Sequence, residues 1–293
     1  MFVSEKDIKQ VLQLYNVPCD RIDYISKGVM TDKFVFDNKY IIRCYPECRG
    51  YLAEAEYQYM QEFLRRGILC PKPVKIVHVK QSSCLIYERV EGKMLTDVYD
   101  GMSATKKDTI CAEIIQNYLY ISQMPCNGYG EMLGYQQFTY QSMSDWFRRV
   151  IENAEKWMVQ YGTEDLFNRS ILETFREKTA IIKSQIPVLV WSDFSMDNII
   201  VDEDGHLAGF VDFEGLMAID STLGIGYMQA HENNSDFSRR IIDQIHVNKE
   251  IVDFYALLRY LALLPQAYKN LPNGTKRQPI ESYLPYIQTL IEK

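Results

Sequence analysis

The chain is poor in the features that would assign it quickly. It has no run of about 18 consecutive apolar residues, so no segment is expected to span a membrane. Its start, MFVSEKDIKQ, is charged and lacks the apolar stretch of a signal peptide, which points to a cytoplasmic protein. Positive charge is not in excess: the formal net charge is −7, against the basic face expected of a nucleic-acid binder. There is no G-x-x-x-x-G-K-[ST] phosphate loop and no G-x-S-x-G nucleophile elbow. The four histidines are isolated, and His231-Glu232 has no second histidine to complete a zinc-binding helix. The seven cysteines are odd in number, scattered and mostly within apolar runs, a pattern expected of reduced thiols. Cys44 and Cys48 have a metal-like spacing, but no second Cys or His pair accompanies them.

What remains is an α+β pattern in 293 residues. Ser4 and Asp7 form a variant capping box ahead of helically spaced apolar residues. KFVFDNKYIIRCY reads as two strands around an Asp37–Asn38 turn. YLAEAEYQYMQEFLRRG reads as a helix ended by Gly67, and two more strands follow Pro71 and Pro73. After Gly92 helical spacing dominates, near 104–124, 141–160, 165–184, 236–247, 250–266 and 279–291. The expected organisation is a small, mostly-β lobe with one crossing helix over 1–91 and a larger, mostly-α lobe over 92–293. GYG at 128–130 and GIG at 224–226 are too short for dinucleotide loops and read as turns or close packing.

One stretch carries chemistry: VWSDFSMDNIIVDEDGHLAGFVDFEG, from residue 190. Two apolar runs flank an acidic turn, and Asp193, Asn198 and Asp212 stand outside the runs. A tight hairpin returns its chain to the starting level, so these three oxygen-bearing side chains are expected at one end. Carboxylate and amide oxygens suit Mg²⁺, and a spare carboxylate beside it can orient a hydroxyl and take its proton. D-x-x-x-x-N alone recurs by chance, and Asp or Asn at a strand end is often only turn chemistry. Partners elsewhere strengthen the pattern. Arg43 interrupts an apolar strand, and Glu56 lies on the apolar face of the next helix, where an acid is costly unless paired. Glu88 and Val90, in a strand that turns polar before Gly92, are expected to offer backbone groups to a purine.

VWSDFSMDNIIVDEDGHLAGFVDFEGLMAID resembles the H-G-D-x-x-x-x-N … D-[FW]-E signature of the aminoglycoside phosphotransferase-like kinases, its DFSMDN being especially similar to the hygromycin-phosphotransferase branch. LIYERVEG, YISQMPCNGYGEM and MSDWFRRVIEN resemble further segments of that family, and the match covers nearly the whole chain. The resemblance implies a bilobal protein-kinase-like fold that moves the γ-phosphoryl of ATP or GTP to a small-molecule hydroxyl. Asp193 would be the base, Asn198 and Asp212 the ligands of Mg²⁺ (two ions), and Arg43 with Glu56 the phosphate-holding couple. Tyr87 would stand at the back of the base pocket, and Gly28 is what remains of the glycine-rich loop. Glu214, Glu232 and Asp236 are the acids that would meet an aminoglycoside. A sugar or amino-alcohol kinase, a nucleotide-binding pseudokinase and a kinase of macromolecules are the alternatives. No nucleic acid or membrane partner is implied, and the chain would be a monomer or homodimer. Three departures stand out: Trp191-Ser192 replaces His-Gly, Arg43 replaces Lys, and Gly224 replaces a second Asp.

Overall fold

The structure, a computed structural model, describes residues 3–15, 17, 19–25, 30–161, 173, 176–177, 179, 182, 186–233, 235–268 and 285. In chain order the elements are α1 (Glu5–Leu14), β1 (Ile22–Ile25), β2 (Asp32–Phe36), β3 (Tyr40–Tyr45), α2 (Tyr51–Arg65), β4 (Pro73–Val79), β5 (Ser82–Glu88), β6 (Lys93–Met94) and α3 (Leu95–Val98). They continue with α4 (Ala104–Ile121), β7 (Tyr129–Gly134), β8 (Gln137–Tyr140), α5 (Met143–Tyr161), β9 (Val188–Trp191), β10 (Ile199–Val201) and β11 (Leu207–Phe210). The last are β12 (Leu216–Ile219), α6 (Thr222–His231), α7 (Asp236–Ile245) and α8 (Lys249–Tyr268). The fold is α+β. Among the described residues no helix is long and apolar enough to cross a membrane.

The chain divides into two compact units and passes between them several times. The first comprises 1–102, 132–137 and 196–214. Its five-stranded sheet has the order β1-β2-β3-β5-β4, every pair antiparallel. Ile8 and Leu12 of α1 pack with Phe34, Phe36, Ile42, Val77 and Ile86. The Ser4 hydroxyl accepts from Asp7 N–H and the Asp7 carboxylate from Ser4 N–H, closing the capping box. Leu52, Tyr59, Met60 and Phe63 form the buried face of α2. Hairpin β10–β11 joins this unit because β10 pairs with β6 and Phe210 N–H donates to the Leu69 carbonyl at 2.9 Å. Residues 132–137 join it where Gln136 N–H reaches the Tyr59 hydroxyl at 3.1 Å.

Gly92 makes the β6–β10 contact possible. Its φ of +135° is glycine backbone, and a Cβ there would overlap the Val201 carbonyl oxygen and come within 2.8 Å of Ile200 Cγ2. Gly92→Ala is therefore expected to lower stability by about 2–3 kcal/mol. Urea unfolding checks this, and a loss under about 0.5 kcal/mol would be that of an ordinary surface change.

The second unit holds α4–α8 and the sheet β8-β7-β12-β9. That sheet was not anticipated, although the unit is mostly helical as expected. Its strands have four to six residues, too short to give clear alternation in sequence. Helix α6 was not expected either. It is buried along Thr222–Ala230, so it lacks the polar face that marks a helix, and Gly224 and Gly226 lower its propensity. The helices expected near 165–184 and 279–291 lie outside the described residues, apart from a few positions.

The expectation that all cysteines are thiols also needs correction: Cys44 and Cys84 form a disulfide. They are directly opposed in the β3–β5 register, a pairing that a separation of 40 residues does not reveal. Cys19, Cys48, Cys70, Cys111 and Cys126 are not in disulfides.

Candidate active site

In the first unit, hairpin β10–β11 assembles two of the three side chains as its sequence suggests. Ile199 pairs with Phe210, and Val211 N–H donates to the Asn198 carbonyl at 2.9 Å, so Asn198 and Asp212 leave the same end. The far turn is held by the Asp202 carboxylate, which accepts from the N–H groups of Asp204 and His206 at 3.0 and 2.9 Å. Asp212 has φ +70°, a left-handed conformation that costs a non-glycine residue about 1–3 kcal/mol. Phe213 follows it into the core, edge-on to Phe63 of α2 at 5.1 Å.

Arg43 is the centre of a charge cluster. Its side chain is 1% exposed. Nη1 lies 3.4 Å from Glu56 Oε2, while Nη2 lies 2.6 Å from Asp212 Oδ1 and 3.0 Å from Glu214 Oε2. Nε donates to the Thr31 hydroxyl at 3.2 Å. Lys33 adds a second cation, with Nζ 2.7 Å from Asp212 Oδ2, and Arg49 reaches Glu214 at 3.7 Å. Burial works against the charge on Asp212, but Arg43 and Lys33 outweigh it and hold its carboxyl well below the usual range. Burial likewise opposes the Arg43 charge, and Asp212 and Glu56 more than offset it.

Glu56 responds in the opposite sense. Burial pushes its carboxyl up from 4.5 to about 7, with Arg43 resisting and Asp212 and Glu214 assisting. Between those values the folded protein keeps a proton that the unfolded chain releases. The contribution of Glu56 to stability therefore falls as pH rises from 4.5 to about 7 and is level above. Glu56→Gln should remove that fall, visible as a flatter stability profile between about pH 5 and 7 in urea titrations. An unchanged slope would contradict the assignment.

Lys33 was not anticipated. The β2–β3 register sets Lys33 opposite Arg43, and facing cations are unfavourable without an acid between them. Arg49 had no sequence signal. Glu214, expected to meet substrate, is instead engaged by Arg43 and Arg49. Tyr87 is buried on β5 opposite Ile41. Glu88 pairs with Lys72 through its side chain, and its N–H donates to the Lys72 carbonyl at 2.9 Å. Gly28 lies outside the described residues.

Asp193 belongs to the second unit, three residues before the chain leaves it. The Ser192 N–H and hydroxyl both donate to the Gly215 carbonyl, at 3.0 and 2.6 Å. A Cβ on Gly215 would lie 3.0 Å from that of Asp193, so the two segments are tightly apposed. Trp191 is fully buried and stacks on Phe194, which stacks on Tyr118 of α4 at 5.0 Å. This aromatic column supports the loop at Trp191-Ser192. It also accounts for Gly224: the Tyr118 hydroxyl, donating to the Ser221 carbonyl at 2.7 Å, fills the space a side chain there would need. The Asp193 carboxylate lies 3.8 Å from Arg259 of α8. Asp236 is engaged by Arg240 at 3.0 Å and Lys107 at 3.5 Å, and Glu232 follows α6, partly buried.

Among the described residues, no group of three or more His, Cys, Asp and Glu could hold a metal on its own. The donor set that does fit is the Asn198 amide with the Asp212 carboxylate. These are hard oxygens suited to an Mg²⁺ that keeps water and nucleotide oxygens as its remaining ligands.

A sequence profile described as the phosphotransferase enzyme family matches residues 25–263. The chain belongs to that family. Comparison with curated proteins by sequence gave no match. Solved structures similar to this phosphotransferase include aminoglycoside phosphotransferase APH(4)-Ia, with TM-score 0.79 and 16% identity over 99% of both chains. ADP-bound APH(2'')-Ib gives 0.67 and 14%, over 99% of this chain and 97% of that one. The GDP complex of wild-type aminoglycoside 2'-phosphotransferase-IIIa gives 0.68 and 13%, over 99% of both. At these identities the likeness establishes the fold, which is the bilobal protein-kinase-like one.

Proposed function

We propose that this phosphotransferase moves the γ-phosphoryl group of ATP or GTP to a hydroxyl of a small molecule. The observation that carries the reading is the buried Arg43–Glu56–Asp212 cluster beside Asn198 in a chain of this family. Arg43 and Lys33 bind the phosphates, and the backbone of Glu88 and Val90 meets the purine before Tyr87. Asn198 and Asp212 hold Mg²⁺, which neutralises phosphate charge when bound. Asp193 orients the acceptor hydroxyl and takes its proton as the oxygen bonds to phosphorus and the β–γ bridging bond breaks, releasing the nucleoside diphosphate. Similar proteins are solved with ADP and with GDP, so either donor suits the reading.

A neutral polyol such as a sugar suits the acceptor role better than a polycationic aminoglycoside. Glu214 and Asp236, two of the three acids expected to meet such a cation, are already engaged by arginines and a lysine. A screen of Mg²⁺-ATP and Mg²⁺-GTP against aminoglycosides, sugars and amino alcohols tests this. Acceptor-dependent release of nucleoside diphosphate with a sugar is expected. Aminoglycoside turnover would reverse the acceptor reading, and binding without turnover would favour a pseudokinase.

A further inference from the structure

Arg259 lies within reach of the proposed base, and no motif pointed to it. Its guanidinium Nη2 is 3.8 Å from Asp193 Oδ1, with the two side chains 23% and 38% exposed. Its Cζ sits 5.0 Å from the centre of the Tyr227 ring on α6. The helix that carries it is fixed: a Cβ on Gly226 would meet the Val252 carbonyl at 2.7 Å and Ala256 N at 3.0 Å, so α6 and α8 touch backbone to backbone. Helix contact sets the origin of the side chain, and the tyrosine face limits where its planar head can go. The fork is thereby kept towards Asp193.

We propose that Arg259 is a positioning residue that holds the Asp193 carboxylate in the orientation needed to receive a hydroxyl; this rests on the reading of Asp193 as the base. At 3.8 Å between part-exposed groups the attraction is modest, of the order of surface ion pairs. It is therefore suited to orienting the carboxylate without locking it away from an incoming hydroxyl. Misplacing a catalytic group by about 1 Å can cost up to about 10²-fold in rate, so a weak contact can have a large kinetic effect.

The test uses the full chain with Mg²⁺-ATP or Mg²⁺-GTP and water as the acceptor, reading kcat and nucleotide KM. Arg259→Gln should lower kcat about tenfold at unchanged KM, whereas Arg259→Lys, which keeps the charge, should stay within about threefold. In an Asp193→Asn background Arg259→Gln should cause no further loss, which a merely structural role would not produce. Unchanged kcat in Arg259→Gln, or equal losses in the Gln and Lys variants that follow a fall in Tm, would overturn the inference. An Asp193→Asn protein as active as the parent would overturn the base assignment and this inference with it. An inactive Asp193→Asn beside a normal Arg259→Gln would overturn only the role of Arg259.

Discussion

Asp193→Asn is expected to lower turnover by about 10²–10⁴-fold, the range that a general base supplies, while nucleotide affinity changes little. The reason lies in how the segment is held. Ser192 fixes it through the Gly215 carbonyl, and Trp191 and Phe194 anchor it in the aromatic column with Tyr118. These contacts anchor the segment on both sides of Asp193, and an amide has the shape of the carboxylate, so it should leave the loop in place. The variant should unfold at the same temperature as the parent and bind Mg²⁺-nucleotide as well. Turnover near that of the parent, measured as diphosphate release, would remove Asp193 from the proposed role.

Arg43→Ala has the largest expected effect on stability. One guanidinium meets Glu56, Asp212 and Glu214 in a place where its own side chain is 1% exposed. Removing it leaves buried carboxylates facing one another, with Lys33 and Arg49 at the edge of the group. Deleting one partner of a buried ion pair typically costs about 3–5 kcal/mol. Uptake of a proton by Glu56, already pushed up to about 7, limits the damage below neutrality, so the loss should grow as pH rises through that value. Arg43→Lys should fall between, because a single ammonium cannot reach three carboxylates as a planar fork does. Urea unfolding of the three proteins at two pH values decides it. A loss under about 1 kcal/mol in Arg43→Ala would mean that the cluster does not hold this region together.

The parts of the site visible in sequence were those in which one residue broke a local rule. Arg43 interrupts an apolar strand, Glu56 stands on the apolar face of α2, and the structure puts them 3.4 Å apart. The ends of hairpin β10–β11 followed from turn geometry alone. Lys33 needed the observed register: a two-residue Asp37–Asn38 turn would pair 36 with 39 and set Lys33 opposite Ile42, whereas the loop spans 37–39 and pairs 36 with 40 and so 33 with 43. Other features depended on packing between distant segments. The Cys44–Cys84 disulfide requires the β3–β5 register, which no local pattern encodes. Arg259 and Asp193 meet only through the contact of α6 with α8, and α6 itself is hidden by being buried along its length. The strands of the second sheet are too short to show a period. Glu214 was read as an acid that meets substrate because its two arginines lie far from it in the chain.

The most direct measurement is calorimetric titration of the full chain with a non-hydrolysable ATP or GTP analogue, with and without Mg²⁺, repeated on Asp212→Ala. Binding that strengthens with Mg²⁺ in the parent and loses that dependence in the variant is the predicted result. Absence of binding, or the same Mg²⁺ dependence in both proteins, would contradict the account.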